Sequence, residues 1–170
     1  SGGTVVTSDD GSIWTNRINT IYSELSDVVY ANGMFVALGS FFAEINYSAD
    51  GISWSTETID FSAWKGAAYG NGLYVAIGSS SIATSTDVKS WTKYQHPSFN
   101  GIAYGNGKFV ATGASGRIYS SANGTKWTKQ TSNTTNALRG ITYGNGLFVA
   151  VGDAGTILTS GNGADWNVRT

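Results

Sequence analysis

The chain has no cysteine, and only one proline, one histidine and one methionine among its 170 residues. Without cysteine there is no disulfide framework and no thiolate metal site, and a lone histidine, His96, cannot assemble the usual zinc sets. Charge is scarce too: Asp, Glu, Lys and Arg make up 12% of the chain, against about a quarter in an average globular domain. The ten basic and eleven acidic residues are spread singly, so no basic patch is available for nucleic acid or an anionic membrane surface. No apolar run approaches the ~20 residues of a membrane-spanning helix. The first residues, Ser1-Gly2-Gly3, carry neither a charged nor an apolar leader segment, and the chain reads as mature or trimmed.

What the chain has in quantity is glycine, at 23 residues, with aromatics at 13% and many Ser, Thr and Asn. A chain of this length buries a core without staples, and this mixture describes a turn-rich β protein of the kind often exported. An extracellular, cell-surface or virion-surface location is therefore expected.

The pattern inside that composition is a repeat. Five times a serine is followed two residues later by Asp or Asn and, four residues after that, by Trp: Ser8-Asp10-Trp14, Ser48-Asp50-Trp54, Ser85-Asp87-Trp91, Ser121-Asn123-Trp127 and Ser160-Asn162-Trp166. The tryptophans recur every 36 to 40 residues, a period that marks an array of one supersecondary unit. The acidic or amide side chain can bond backbone amides in the turn, with Gly usually next where positive φ is needed. Each Trp is then expected just inside a strand, covering the edge of the apolar layer while its N–H reaches a backbone acceptor.

A second motif lies between the boxes. Residues 101–113 match 140–152 almost position for position, and 27–39 and 66–78 follow the same pattern of two β-prone runs around Asn-Gly. Asn-Gly between such runs is a strong hairpin signal. Each unit thus has strands A and B around Asn-Gly and strands C and D around the Ser-to-Trp box. Four short strands per roughly 38 residues, with no helical periodicity, predict an all-β fold of propeller blades. Pro97 falls between units and contradicts no strand.

The box resembles the Asp-box of bacterial neuraminidase repeats. The whole unit, Tyr-Gly-Asn-Gly-x-Phe-Val-Ala-x-Gly followed by the box, is similar to repeats of bacterial and phage surface proteins and of photosystem II assembly factors. The resemblance implies a β-propeller over nearly the whole chain, and sialidases and sortilin-type receptors share the box on larger propellers. It implies little about activity, since one such fold carries enzymes, receptors and scaffolds.

The units are expected at 25–63, 64–98, 99–137 and 138–170, with a half unit over 3–24 that supplies only strands C and D. Four complete four-stranded units plus an N-terminal half unit give about five blade positions. The half unit can sit as an incomplete blade, swap into a neighbouring molecule or belong to a longer array. A two-stranded hairpin alone is marginal in water, so it should dock on something. The favoured reading is a ring of five positions whose incomplete blade is completed or covered by another chain, with self-association through the half unit.

Catalytic chemistry finds little support. Sialidase catalysis, as the family resemblance frames it, needs an arginine triad and a Tyr nucleophile paired with Glu; the four arginines here, Arg17, Arg117, Arg139 and Arg169, match no such motif. No Gly-x-Ser-x-Gly elbow accompanies His96, which reads as a surface-loop residue in Tyr94-Gln95-His96-Pro97-Ser98. Asp9, Asp10, Asp50, Asp87, Asn123 and Asn162 hint at calcium, yet their repetition at equal positions favours turn stabilisation, and no metal or cofactor is expected. The Asn-Gly stretches lack the helix a phosphate loop requires. Three glycosylation triplets begin at Asn46, Asn123 and Asn133, as chance allows in so Asn-rich a chain.

The copies disagree in the B–C and D–A connections, which chain direction places on the face opposite the Asn-Gly turns and the boxes. Variable loops on a rigid scaffold are where binding resides. The candidate ligand-binding residues there are Tyr22, Phe41, Phe42, Glu44, Tyr94, His96, Arg117, Arg139 and Asp153. Trp64 aligns with Leu25, Phe99 and Leu138 and reads as core. Phe41 and Phe42, read as adjacent strand residues, should face opposite sides, leaving at least one exposed. Arg117 and Asp153 are expected near strand ends that approach the central channel. The leading expectation is a non-catalytic recognition module for a glycan or a protein, followed by a structural or assembly scaffold, with a glycosidase-like enzyme last.

Overall fold

The computed structural model describes residues 3–17, 23–59 and 63–169. Each Asn-Gly pair makes a two-residue hairpin turn: Asn32 and Gly33, Asn71 and Gly72, Asn106 and Gly107, and Asn145 and Gly146 all have positive φ. Both central residues of this tight turn must take that conformation, and Asn followed by Gly does so at least cost. Across each turn the register sets one aromatic against another, as in Tyr30 opposite Phe35 and Tyr104 opposite Phe109, with ring centroids 4.5 and 4.7 Å apart.

The strands form four antiparallel four-stranded sheets in simple chain order and one two-stranded sheet. The half blade is β1 (Val5–Thr7) and β2 (Thr15–Arg17). Blade two is β3 (Leu25–Ala31), β4 (Met34–Gly39), β5 (Glu44–Ser48) and β6 (Ser55–Thr58). Blade three is β7 (Trp64–Gly70), β8 (Leu73–Gly78), β9 (Ser81–Ser85) and β10 (Thr92–Gln95). Blade four is β11 (Gly101–Gly105), β12 (Lys108–Thr112), β13 (Ile118–Ser121) and β14 (Thr128–Gln130). Blade five is β15 (Leu138–Gly144), β16 (Leu147–Gly152), β17 (Ile157–Ser160) and β18 (Asn167–Arg169). Strand β3 lies beside β7, β7 beside β11 and β11 beside β15, so the first strands of the four full blades stand around a common axis; among the described residues β15 and β3 share no contact of that extent. The fold is a small β-propeller with about five blade positions.

Alternation along each strand gives every blade two apolar faces, and the core lies between blades. Val36, Leu38 and Ile45 of blade two meet Trp64, Tyr74, Ala76 and Ala83 of blade three. Val75, Ile77 and Ile82 of blade three meet Phe99, Phe109 and Ala111 of blade four. Val110 and Ile118 of blade four meet Phe148, Ala150 and Leu158 of blade five. Trp64 is fully buried, as expected of a core residue.

The five Ser-to-Trp turns share one bonding scheme. In the second, the Ser48 hydroxyl donates to Asp50 Oδ1 and accepts from the Gly51 amide, while Asp50 Oδ1 accepts from the amides of Ile52 and Ser53. Trp54 Nε1 donates to the Gly51 carbonyl. The indole bond recurs at Trp14, Trp91 and Trp127, whereas Trp166 Nε1 is buried without a partner. Asn123 and Asn162 accept the same two backbone amides in their turns. Because these bonds favour the charged carboxylate, Asp50 and Asp87 titrate at about 2, and Asp10 is lowered for the same reason.

The half blade does dock. A Cβ on Gly51 would stand 3.6 Å from Thr7, and one on Gly124 would stand 3.6 Å from Thr84, the residue equivalent to Thr7 two repeats on. The half blade is therefore seated against blade two in the way that blade three is seated against blade four.

Candidate functional site

The connections between β4 and β5, β8 and β9, and so on, together with those between blades, lie at the end opposite the Asn-Gly turns. On this loop face the structure builds two concave features. The larger is a groove of about 1020 Å³ beside blade four, walled by Pro97, Ser115 to Arg117 and the 129–136 connection. Gly116 fits against the carbonyl of Thr134 so closely that a side chain would overlap it. Ser115 and Gly116 both have positive φ, so the turn between β12 and β13 is tightly folded under the 129–136 connection. The Gly116 amide donates to the Asn136 carbonyl at 2.9 Å, tying the two walls together.

The second feature lies on the axis, a space of about 350 Å³ lined by the first strands of all four full blades. A one-residue register slip between Leu25 and Asp27, between Trp64 and Gly66 and between Leu138 and Gly140 leaves Ser26, Lys65 and Arg139 out of the ladder. Such bulges re-aim a side chain, and here all three residues, with Asn100, line the axial space. Lys65 Nζ donates to Ser98 Oγ at 3.3 Å and Asn100 Oδ1 at 3.2 Å. Asp27, where the other blades have glycine, accepts the Ala67 amide of the next blade at 2.9 Å. Ser26, Asp27, Lys65 and Asn100 were not among the sequence candidates. The signal was present: the residue after Leu25, Trp64, Phe99 and Leu138 is different, and polar, in every copy.

The sequence candidates do not form one site. Arg139 and Asp153 do come together, in a two-pronged pair at 2.8 and 2.9 Å. The pair raises the Arg139 pKa and lowers that of Asp153. Arg117 is not among the residues lining the axial space; its Nη1 donates to the Ser98 carbonyl between blades three and four. Glu44 opens β5 and accepts the Ser23 amide. Tyr94 is a strand residue of β10 opposite Ile82 rather than a loop residue. Phe41 and Phe42 occupy a turn, not a strand, because Phe42 and Ala43 have positive φ. Both rings are exposed, at 59 and 64%. Tyr22 lies outside the described residues.

His96 lies in the expected loop, between β10 and β11, but is half-buried there instead of standing on the surface. Its ring stacks on Phe99 at 4.9 Å and meets Tyr119 and Trp127 edge-on, its amide donates to the Ser80 carbonyl, and its Nδ1 is buried without a partner. Burial lowers its pKa. Asn46, head of one glycosylation triplet, is fully buried in β5. Among the described residues no three His, Asp or Glu side chains gather as a metal site would require, and no helix is long and apolar enough to cross a membrane.

No family model matches the chain and no curated protein matches it. Solved structures do. The structure described as YCF48 bound to D1 peptide is 19% identical, with a TM-score of 0.72, over 96% of this chain and 59% of that one. Virginiamycin B lyase from Staphylococcus aureus is 17% identical, with a TM-score of 0.87, over 99% of this chain and 63% of that one. A chain of the nidogen/laminin complex is 12% identical, with a TM-score of 0.71, over 88% of this chain and 64% of that one. The chain thus spans about three-fifths of the length of each of these propellers. At such identities the likeness is one of fold.

Proposed function

We infer that this chain is a non-catalytic recognition module that holds a protein segment on its loop face. The observation that carries this reading is the groove beside blade four. It is built from the connections in which the repeats diverge, its walls offer backbone and amide groups, and its charged lining residues are Arg117 and Lys129. An extended, polar or acidic segment suits such a surface, since directed hydrogen bonds give register and the two cations favour a carboxylate. Support also comes from fold neighbours whose structures were solved with a peptide or a protein partner. A glycan is the other ligand such a surface accommodates, through the same amide and hydroxyl groups.

The non-catalytic reading is supported by the sequence, whose four arginines match no sialidase motif, and by a groove lining of backbone, amide and hydroxyl groups with two cations, which suits binding. Composition supports placing the module outside the cell or on a cell or virion surface. The scaffold alternative has its own observation: Val6 and Trp14 on the outer side of the half blade are exposed, Trp14 at 59%. Self-association through the half unit would cover them.

Screening the full chain against a peptide array and a glycan array tests the reading. Acidic peptides are expected to bind, and Lys129→Glu, a change at an exposed position, is expected to abolish that binding while leaving the melting temperature unchanged. Binding confined to glycans would transfer the reading to carbohydrate recognition, and silence on both arrays would leave the scaffold.

A further inference from the structure

Among the described residues the half blade has strands C and D without A and B, and it nevertheless sits at blade spacing on blade two. The place of the absent hairpin is consequently held open as a cleft of about 680 Å³ between β1 and the facing side of blade two. Three features of its walls match what a hairpin covers elsewhere in the molecule.

First, β5, β9, β13 and β17 are each paired on both edges, whereas among the described residues β1 is paired only with β2. An edge strand of this kind is the template for strand addition. Second, Phe35 is only half-buried, while its counterparts Tyr74, Phe109 and Phe148 are fully buried between blades. Third, Tyr104 packs on Gly70 and Tyr143 on Gly105, each tyrosine covering the end of the preceding blade's first strand. Tyr30, the equivalent residue of blade two, has no such strand before it and is 61% exposed, with Val28 beside it exposed as well. At Gly124 a Cβ would meet Leu73 and Val75 from a second strand as well as Thr84, at 2.7 and 2.9 Å for the first two; at Gly51 the nearest atoms belong to Thr7 and Phe35 and stand off at 3.6 Å.

We propose that this cleft is a docking site for a β-hairpin of a second polypeptide. The incoming hairpin pairs its second strand antiparallel to β1 and lays its first strand along β3, with a small residue, ideally glycine, beneath Tyr30. The four Asn-Gly hairpins of the described residues are each engaged in their own blades. Main-chain pairing supplies affinity and the pockets at Phe35, Val28 and Tyr30 supply selectivity, as in strand addition generally. This site is separate from the loop-face groove, and it stands or falls independently of the recognition reading.

The test adds a synthetic peptide with the sequence of residues 138–152 to the full chain and follows tryptophan emission, since Trp54 lines the cleft. Saturable binding at one peptide per chain is expected, with a blue shift and a raised melting temperature, and none with a scrambled peptide. Tyr30→Ala, at an exposed position, is expected to weaken binding roughly tenfold, the effect of losing one anchoring aromatic. Ile157→Lys, on the far face of blade five, is expected to leave binding intact. Absence of saturable binding would overturn the proposal. So would mass that rises with concentration in the absence of peptide and is restored to monomer by Tyr30→Ala, because a second whole copy would then be the occupant.

Discussion

The ring of Tyr104 lies directly on the α-carbon of Gly70, leaving no room for a side chain there. Tyr143 and Gly105 repeat the arrangement one blade on. At the last blade, Gly144 has nothing near where its Cβ would be. Gly70→Ala and Gly105→Ala are therefore expected to cost about 3 kcal/mol each, the upper range for overpacking a tight contact. Gly144→Ala is expected to be close to neutral. Urea denaturation of the three variants checks the contrast.

The two sides of a blade predict a second contrast. Ile45, Ile82 and Ile118 are fully buried under the following blade, while their counterpart Ile157 is 42% exposed and Val151 beside it 46% exposed. Ile82→Thr is expected to lose about 2–3 kcal/mol, because it removes apolar contacts and buries a hydroxyl. Ile157→Thr is expected to lose less than about 1 kcal/mol. Equal losses in the same denaturation experiment would mean that blade five is covered in solution.

Acid sensitivity should reside in the turns. Asp50 and Asp87 are held at about 2, below the 3.8 of a free aspartate, by backbone amides. A carboxyl whose pKa is lower folded than unfolded contributes stability above the unfolded value and loses it as pH falls through the folded one. The melting temperature should accordingly decline between about pH 4 and pH 2. In Asp50→Asn with Asp87→Asn, which keeps the acceptor oxygen as Asn123 does naturally, that decline should flatten.

His96 gives a second pH window, of a different kind. Burial lowers its pKa below the ordinary 6.5, so the unfolded chain takes up a proton before the folded one does. Stability is then fully present above that ordinary value and is lost as pH falls below it. His96→Phe, which retains the stack on Phe99, is expected to remove the slope that sets in as pH falls below about 6.5. An unchanged slope in a thermal melt series would assign it to another group.

Much of the architecture was legible from local chemistry. Asn-Gly between β-prone runs has few alternatives to a hairpin, and a Ser, Asp and Trp at fixed spacing can satisfy one another within a single turn. Even the third copy, with Val88 in place of glycine, forms the turn, at positive φ and with Val88 buried in the core between blades two and three. The loops were less legible because their conformation is set from outside. Phe41 and Phe42 look like strand in a run of apolar residues, yet the short link between β4 and β5 requires positive φ at that point. His96 looks like loop because Pro97 follows it, but the neighbouring blade's Tyr119 and Trp127 close over it. The axial residues were readable only by asking where the copies differ inside a strand instead of between strands.

Each core in this molecule is shared by two consecutive blades and by no others. Cohesion of that kind is a sum over neighbours, and the members at the ends of the series have half the support of those in the middle. Amide hydrogens of β8 and β12 are thus protected by blades on both sides and exchange only when the assembly opens as a whole, whereas β17, β18 and the half blade exchange through local fraying. Unfolding is therefore expected to proceed from the outer blades of the described series inward, and whatever covers an outer blade should slow it.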